Sequence, residues 1–221
     1  MHSFFTDPAT HIGPEGQLHV WAMAKAEVRS ALAPFAQACD AFDCLGLQPP
    51  SALHATVLRL APHDGDVAAF CAAFRRECDG LGELHLPVQW PAVVEDSVIC
   101  LGATTPQWDR LICATKRASI QAFGDEATPY NPPFSPHLTI AYGVCEGDDE
   151  PIVAALQQVR VHMLWDTDDG RTHDADDTAA DAIGENQFCT LDIDSVVLAR
   201  VYQDRQVGTY TCDVLAEVSW V

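Results

Sequence analysis

Two of the nine histidines in this chain stand in matching company. Leu53-His54-Ala55-Thr56-Val57-Leu58 and Pro136-His137-Leu138-Thr139-Ile140-Ala141 both read apolar or proline, His, apolar, Thr, apolar, and no other His is followed two places on by Ser or Thr. In an extended strand, side chains two apart share a face. Each motif therefore offers an imidazole and a hydroxyl side by side. Cleaving a phosphodiester in line needs a base to take the nucleophile's proton and an acid to protonate the departing oxygen. Histidine titrates near neutral pH and serves in either role. Two of them on opposite sides of phosphorus supply both functions without a metal. The Thr56 and Thr139 hydroxyls would hold the non-bridging oxygens and steady the charge that builds in the transition state. A single such motif reads as a packed strand residue; a matching pair, 83 residues apart, points to a site.

The surrounding pattern is expected to position these strands. Leu18 to Met23 reads as a strand after the Gly13-Pro14 and Gly16 breakers. Ala24 to Leu45 has apolar residues at helical spacing (Val28, Leu32, Phe35, Cys39, Phe42). A strand over 53–60 carries the first motif, and a helix over 67–78 follows. Leu84–Val88 and Val93–Leu101 read as paired strands, Pro106–Phe123 as a helix, and 136–142 as the second motif strand. Glu150–Gln158 reads as a short helix, Val159–Leu164 as the start of a strand, and residues 191–221 as a C-terminal hairpin. The order is α/β with two similar halves, one motif in each.

Composition narrows the partners. With 32 acidic against 12 basic residues, the net charge of −20 repels long duplex nucleic acid, whose binding depends on Lys and Arg at the phosphates. Part of this acidity is local, since 166–185 holds eight acidic residues against one Arg. The 166–186 stretch reads as a flexible acidic insertion. A calcium loop there is disfavoured, because Gly170 comes one position too early after Asp166 for an EF-hand and no Glu follows at the needed spacing. Nine cysteines without a Cys-x-x-Cys pair read as free, mostly buried thiols and not as a zinc cage. No metal or cofactor is expected. No apolar run reaches the roughly 20 residues of a bilayer span, and the first eight residues lack the features of a secretory signal. The expectation is a cytoplasmic monomer that does not contact membranes.

With these motifs in hand, the sequence resembles the 2H phosphoesterase superfamily, the 2′-5′ RNA ligase or cyclic phosphodiesterase family. The resemblance rests on His54-Ala55-Thr56-Val57, on Pro133 to Tyr142, and on Asp194 to Leu198 with Tyr210 to Val218. It implies one bilobal α/β (α+β) domain over 1–221, with two mainly antiparallel sheets flanking a central cleft and helices outside. It also implies His54 and His137 as catalytic residues, Thr56 and Thr139 as phosphate-binding residues, and no metal. The substrate implied is a 2′,3′-cyclic phosphate, opened to a 2′-phosphate, or a 2′-5′ linkage, in a small nucleotide or at an RNA terminus. Two alternatives stay open: a nucleotide-binding module without turnover, and an RNA-end ligase using the same histidines. The acidic insertion departs from the family pattern and is expected to interrupt a late strand.

Lesser candidates surround the motifs. Tyr130, Phe134 and Tyr142 flank the second motif and are candidates for stacking on a base. Strict alternation puts Arg59 on the strand face away from His54, and Lys116 and Arg117 read as solvated helix residues. His63-Asp64-Gly65-Asp66 reads as a turn and helix cap. His19 draws notice for its place on the first strand near Trp21.

Overall fold

A computed structural model describes residues 1–61, 65–128, 135–166 and 186–221. Ten strands and four α-helices are seen among them. The strands are β1 Gln17–Met23, β2 Leu45–Leu47, β3 His54–Arg59, β4 Leu84–Gln89, β5 Ala92–Val94, β6 Ser97–Leu101, β7 His137–Gly143, β8 Gln187–Ile193, β9 Ser195–Asp204 and β10 Thr209–Ser219. The helices are α1 Ala26–Cys39, α2 Val67–Glu77, α3 Pro106–Phe123 and α4 Asp149–Asp166. One four-stranded sheet runs β10-β9-β1-β3, a second runs β2-β7-β6-β5, and β4 and β8 form a separate pair. Every pairing is antiparallel, so the α+β expectation holds.

Helices α1, α2 and α3 each bury an apolar stripe, and α2 and α3 also begin at a capping side chain. In α1, Val28, Leu32, Phe35 and Cys39 are buried at spacings of three and four. Asp66 caps α2 by accepting from the Ala69 N–H, which agrees with the cap read from the sequence; residues 62–64 lie outside the described residues. Thr105 caps α3 in the same way, with Pro106 in the first turn, where its missing N–H costs nothing. The main core collects these stripes against the sheets, with Phe35, Phe70, Phe74, Trp108 and Leu111 fully buried.

Several expectations are corrected. The helix from Ala24 ends at Cys39, and Leu45–Leu47 becomes edge strand β2 against β7. Gly46 allows this: a Cβ there would lie 2.2 Å from the Val207 carbonyl oxygen, so the β9–β10 turn packs directly on the β2 backbone. Residues 84–88 and 93–101 are not partners. A turn at Glu95 and Asp96, with Glu95 at φ 50°, folds the second stretch into the β5–β6 hairpin, and β4 pairs with the distant β8 instead. Local periodicity carries no information on such a long-range choice. Val159–Leu164 continues α4 as helix, and Leu191–Ile193 belongs to β8, so the C-terminal hairpin begins at Ser195. α4 ends at Asp166 and β8 begins at Gln187; residues 167–185, where the acidic insertion expected to interrupt a late strand falls, lie outside the described residues.

The first motif strand, β3, is the edge of its sheet, and the second, β7, lies between β2 and β6 in the other. β3 lies beside β1 and β7 beside β6, and β3 and β7 are in contact across the space between the sheets. The N-terminal segment, with 3-10 turns at Phe4–Thr6 and Pro8–Thr10, supplies Phe5 and Ile12 to a second apolar cluster built around Trp21, Val201 and Tyr210 on the first sheet.

Candidate active site

The register of the two motif strands is the same, residue by residue. His54 sits opposite Met23, Ala55 opposite Ala22 and Thr56 opposite Trp21; then Val57 has no partner, and Leu58 meets Val20. On the other side His137 sits opposite Leu101, Leu138 opposite Cys100 and Thr139 opposite Ile99; then Ile140 is unpaired and Ala141 meets Val98. Each strand thus carries a β-bulge directly after its His-x-Thr. A bulge inserts one residue and shifts the alternation beyond it. Arg59, five residues after His54, is returned to the His54 face, where it lines the same cleft. This corrects the placement expected from strict alternation. Tyr142, five residues after His137, is its counterpart and also lines the cleft.

Both histidines are anchored alike. The His54 Nδ1 lies 2.6 Å from the Ala52 carbonyl oxygen, and the His137 Nδ1 lies 2.9 Å from that of Ser135. A carbonyl only accepts, so each Nδ1 carries the proton and donates it, and Nε2 is left as the nitrogen for chemistry. Both rings line one cleft, together with Thr56.

Among the described residues, His54 has a ring partner that His137 does not. The Trp21 indole stacks on its imidazole, with ring centroids 3.6 Å apart and planes 14° from parallel. A buried chain holds that indole in place. Trp21 Nε1–H donates to His19 Nδ1 at 3.2 Å, so the proton of His19 is on Nε2, which donates to Gln17 Oε1 at 3.2 Å. Gln17 in turn donates to the Leu60 carbonyl at 2.7 Å. Burial holds His19 well below the usual histidine range, with the Arg59 charge and His54 adding to the effect. Burial pushes His54 down to about 4; the Ala52 bond acts against this, and nearby His137 acts with it. His54 is therefore neutral at physiological pH.

The remaining walls are aromatic and apolar: Phe4, Ile12, His19, Trp21 and Tyr210. None of the described residues lining the cleft is acidic. The Phe4 and Tyr142 rings lie 4.5 Å apart, so the N-terminal segment forms one side of the opening. Thr139 shares the face of His137 but is only 9% exposed and, unlike Thr56, is not among the residues that line the cleft; its hydroxyl works against the rise that burial gives the Tyr142 phenol. Burial raises the Tyr142 phenol. Of the three aromatic candidates, Tyr142 reaches the cleft, while Tyr130 and Phe134 lie outside the described residues. Lys116 and Arg117 sit on α3, and Arg117 is engaged with Glu77 at 2.6 Å, as a solvated helix residue would be. Sequence reading singled out His19 but did not find the Trp21 stack, Phe4 or Tyr210. Strand periodicity marks Trp21 only as core, and nothing local links Phe4 or Tyr210 to the motifs.

A separate surface group, Glu83, His85 and Asp192, brings its ligand-type atoms within 4.8 Å of one another. His85 Nδ1 lies 2.6 Å from Asp192, and Lys25 reaches Glu83 at 3.2 Å and Asp194 at 2.8 Å. These contacts form an exposed ion-pair network across the β4–β8 pair. No helix among the described residues is long and apolar enough to cross a membrane.

No protein-family model matches the chain, and the comparison with curated proteins found no match. Solved structures do share its fold. TT0787 of Thermus thermophilus aligns with a TM-score of 0.61 at 15% identity, over 92% of this chain and 97% of that one. E. coli LigT complexed with 3′-AMP aligns with a TM-score of 0.55 at 12% identity, over 92% and 97%. A protein described as a phosphoesterase aligns with a TM-score of 0.53 at 13% identity, over the same shares. The chain has the fold of these proteins, a phosphoesterase among them, across most of its length.

Proposed function

We propose that this protein is a phosphodiesterase of the 2H type, cleaving cyclic or 2′-5′ phosphodiesters in small nucleotides or at RNA ends. The observation that carries the reading is the duplicated geometry. Two His-x-Thr strands meet at one cleft, each with its Nδ1–H anchored to the carbonyl two residues upstream and its Nε2 left for chemistry. The phosphoesterase fold supports it, and so does the 3′-AMP complex of a protein of that fold.

In this reading the scissile phosphate lies between the two imidazoles. His54, neutral at physiological pH, takes the proton of the attacking water through Nε2. Trp21 then lies face-on to the imidazolium that forms, and an aromatic face stabilises a cation. As the new phosphorus–oxygen bond forms and the scissile phosphorus–oxygen bond breaks, His137, which enters the step protonated on both ring nitrogens, gives its Nε2 proton to the departing ribose oxygen and keeps its Nδ1–H on the Ser135 carbonyl. Solvent exchange returns both rings to their starting states. Thr56 donates to a non-bridging oxygen. The Thr139 hydroxyl, which has one proton and lies beside the Tyr142 phenol, is proposed to turn that proton to the phosphate when substrate is bound. Neither proton transfer requires a metal, and the protein is expected to act in the cytoplasm as a single bilobal domain.

The test is hydrolysis of 2′,3′-cyclic nucleotides and 2′-5′-linked dinucleotides in excess EDTA, with His54→Ala and His137→Ala alongside wild type. Turnover that survives EDTA and collapses in both variants is the expected result. Cleavage indifferent to both substitutions would sink the assignment, and nucleotide binding without cleavage would favour a binding module.

A further inference from the structure

The cleft has two ends, and only one is used by the chemistry above. His54 pairs with Met23 and Arg59 with His19, so the two side chains start from rungs four residues apart along β1. At about 3.3 Å per residue this is roughly 13 Å of strand, comparable to the length of a nucleotide. The electrostatics agree. The Arg59 charge is felt at His19, Tyr142 and Tyr210, whereas the neighbours that act on His54 are Ala52 and His137. His19 feels both ends.

The far end is built from hydrogen-bond donors. Arg59 carries a permanent charge and a planar fork of N–H groups suited to phosphate. Its Nη2 donates to the Ala9 carbonyl and to Gln17 Oε1, both at 3.4 Å, so the N-terminal segment and the buried Gln17 orient it. Tyr210 accepts from Gln203 Nε2 at 3.0 Å, which leaves its own O–H to donate, and its backbone N–H is tied to Gln48 Oε1 at 3.1 Å. Burial raises the Tyr210 phenol, so it stays protonated in the working pH range. The Tyr142 ring, 5.3 Å from that of Tyr210, walls this end on the side of the second motif. This donor pair stands in a chain of net charge −20, whose overall field repels anions.

We propose that Arg59 and Tyr210 form a second anion subsite, which takes a phosphate group that the substrate carries beyond the bond being cut. The substrate class is then a nucleotide with two phosphate groups, one cyclic or bridging at the histidines and one terminal at Arg59. Which phosphate sits at which end rests on the function proposed above; the existence of the Arg59 subsite does not.

Binding of adenosine and adenosine 5′-monophosphate by calorimetry tests the subsite without needing turnover. Wild type should bind the 5′-monophosphate about tenfold more tightly or better, as expected for charge-assisted hydrogen bonds. The ratio of the two affinities should fall close to one in Arg59→Gln and lie between in Arg59→Lys. A wild-type ratio near one overturns the proposal, and that measurement depends on no variant folding. A high ratio that Arg59→Gln leaves intact but His54→Ala abolishes also overturns it, because the phosphate then sits at the histidines. Loss of all hydrolysis in the earlier assay, with the Arg59-dependent ratio preserved, would reject the phosphodiesterase reading alone.

Discussion

The two motif strands are near copies in backbone and unlike in surroundings. β3 and β7 share register, bulge and histidine anchor. Around them, Trp21, His19 and Arg59 in the first strand pair hold the positions that Ile99, Ser97 and Tyr142 hold in the second. Matching strand registers bring two imidazoles to one cleft. The neighbours then set them apart: one ring lies under an indole and is held neutral, while the anchoring bond of the other is exposed. Matching strands give position, and unlike packing gives the two rings different surroundings, with burial lowering the proton affinity of His54.

Four measurements would break or sharpen this comparison. The largest effect should come from removing either imidazole. His54→Ala and His137→Ala should each lower kcat by about 10²–10⁴-fold. If one variant keeps near-wild-type turnover, the halves do not act as a pair. Next comes the indole. Trp21 is 1% exposed, and Trp21→Ala should cost about 3–5 kcal/mol in chemical denaturation. Its half-buried counterpart Ile99, cut to Ala, should cost clearly less, and equal costs would mean that the two surroundings are energetically alike.

The third measurement is stability against pH. His54 falls from an ordinary 6.5 unfolded to about 4 folded, so between these values the unfolded chain binds the extra proton. Stability is then fully present above about pH 6.5 and declines as pH falls toward about 4. Because the ring keeps some solvent contact, His54 should contribute about 1–3 kcal/mol of that decline. His54→Gln should flatten the profile in that window, and an unchanged slope would refute the burial argument. The smallest effect concerns Thr139 and Tyr142. A double-mutant cycle with Thr139→Val and Tyr142→Phe should return a coupling of about 1 kcal/mol. Zero coupling would mean that the Thr139 hydroxyl serves only the cleft.

By itself the sequence singled out the candidate site residues and their immediate scaffold. Helical spacing in α1 and α3, the Asp66 cap and the period-two pattern around His54 and His137 are local properties, set by backbone geometry within a few residues. They made the two His-x-Thr faces legible before any tertiary contact was known. Only the tertiary structure decided the rest. The bulges at Val57 and Ile140 turn Arg59 and Tyr142 into the cleft, the Trp21–His54 stack sets proton affinity, and the β4–β8 pairing joins residues about a hundred positions apart. Phe4, from the far end of the chain, closes one side. Each depends on what a residue meets across space, and pairing between distant segments is fixed by the burial of the whole core, which no short window of sequence encodes.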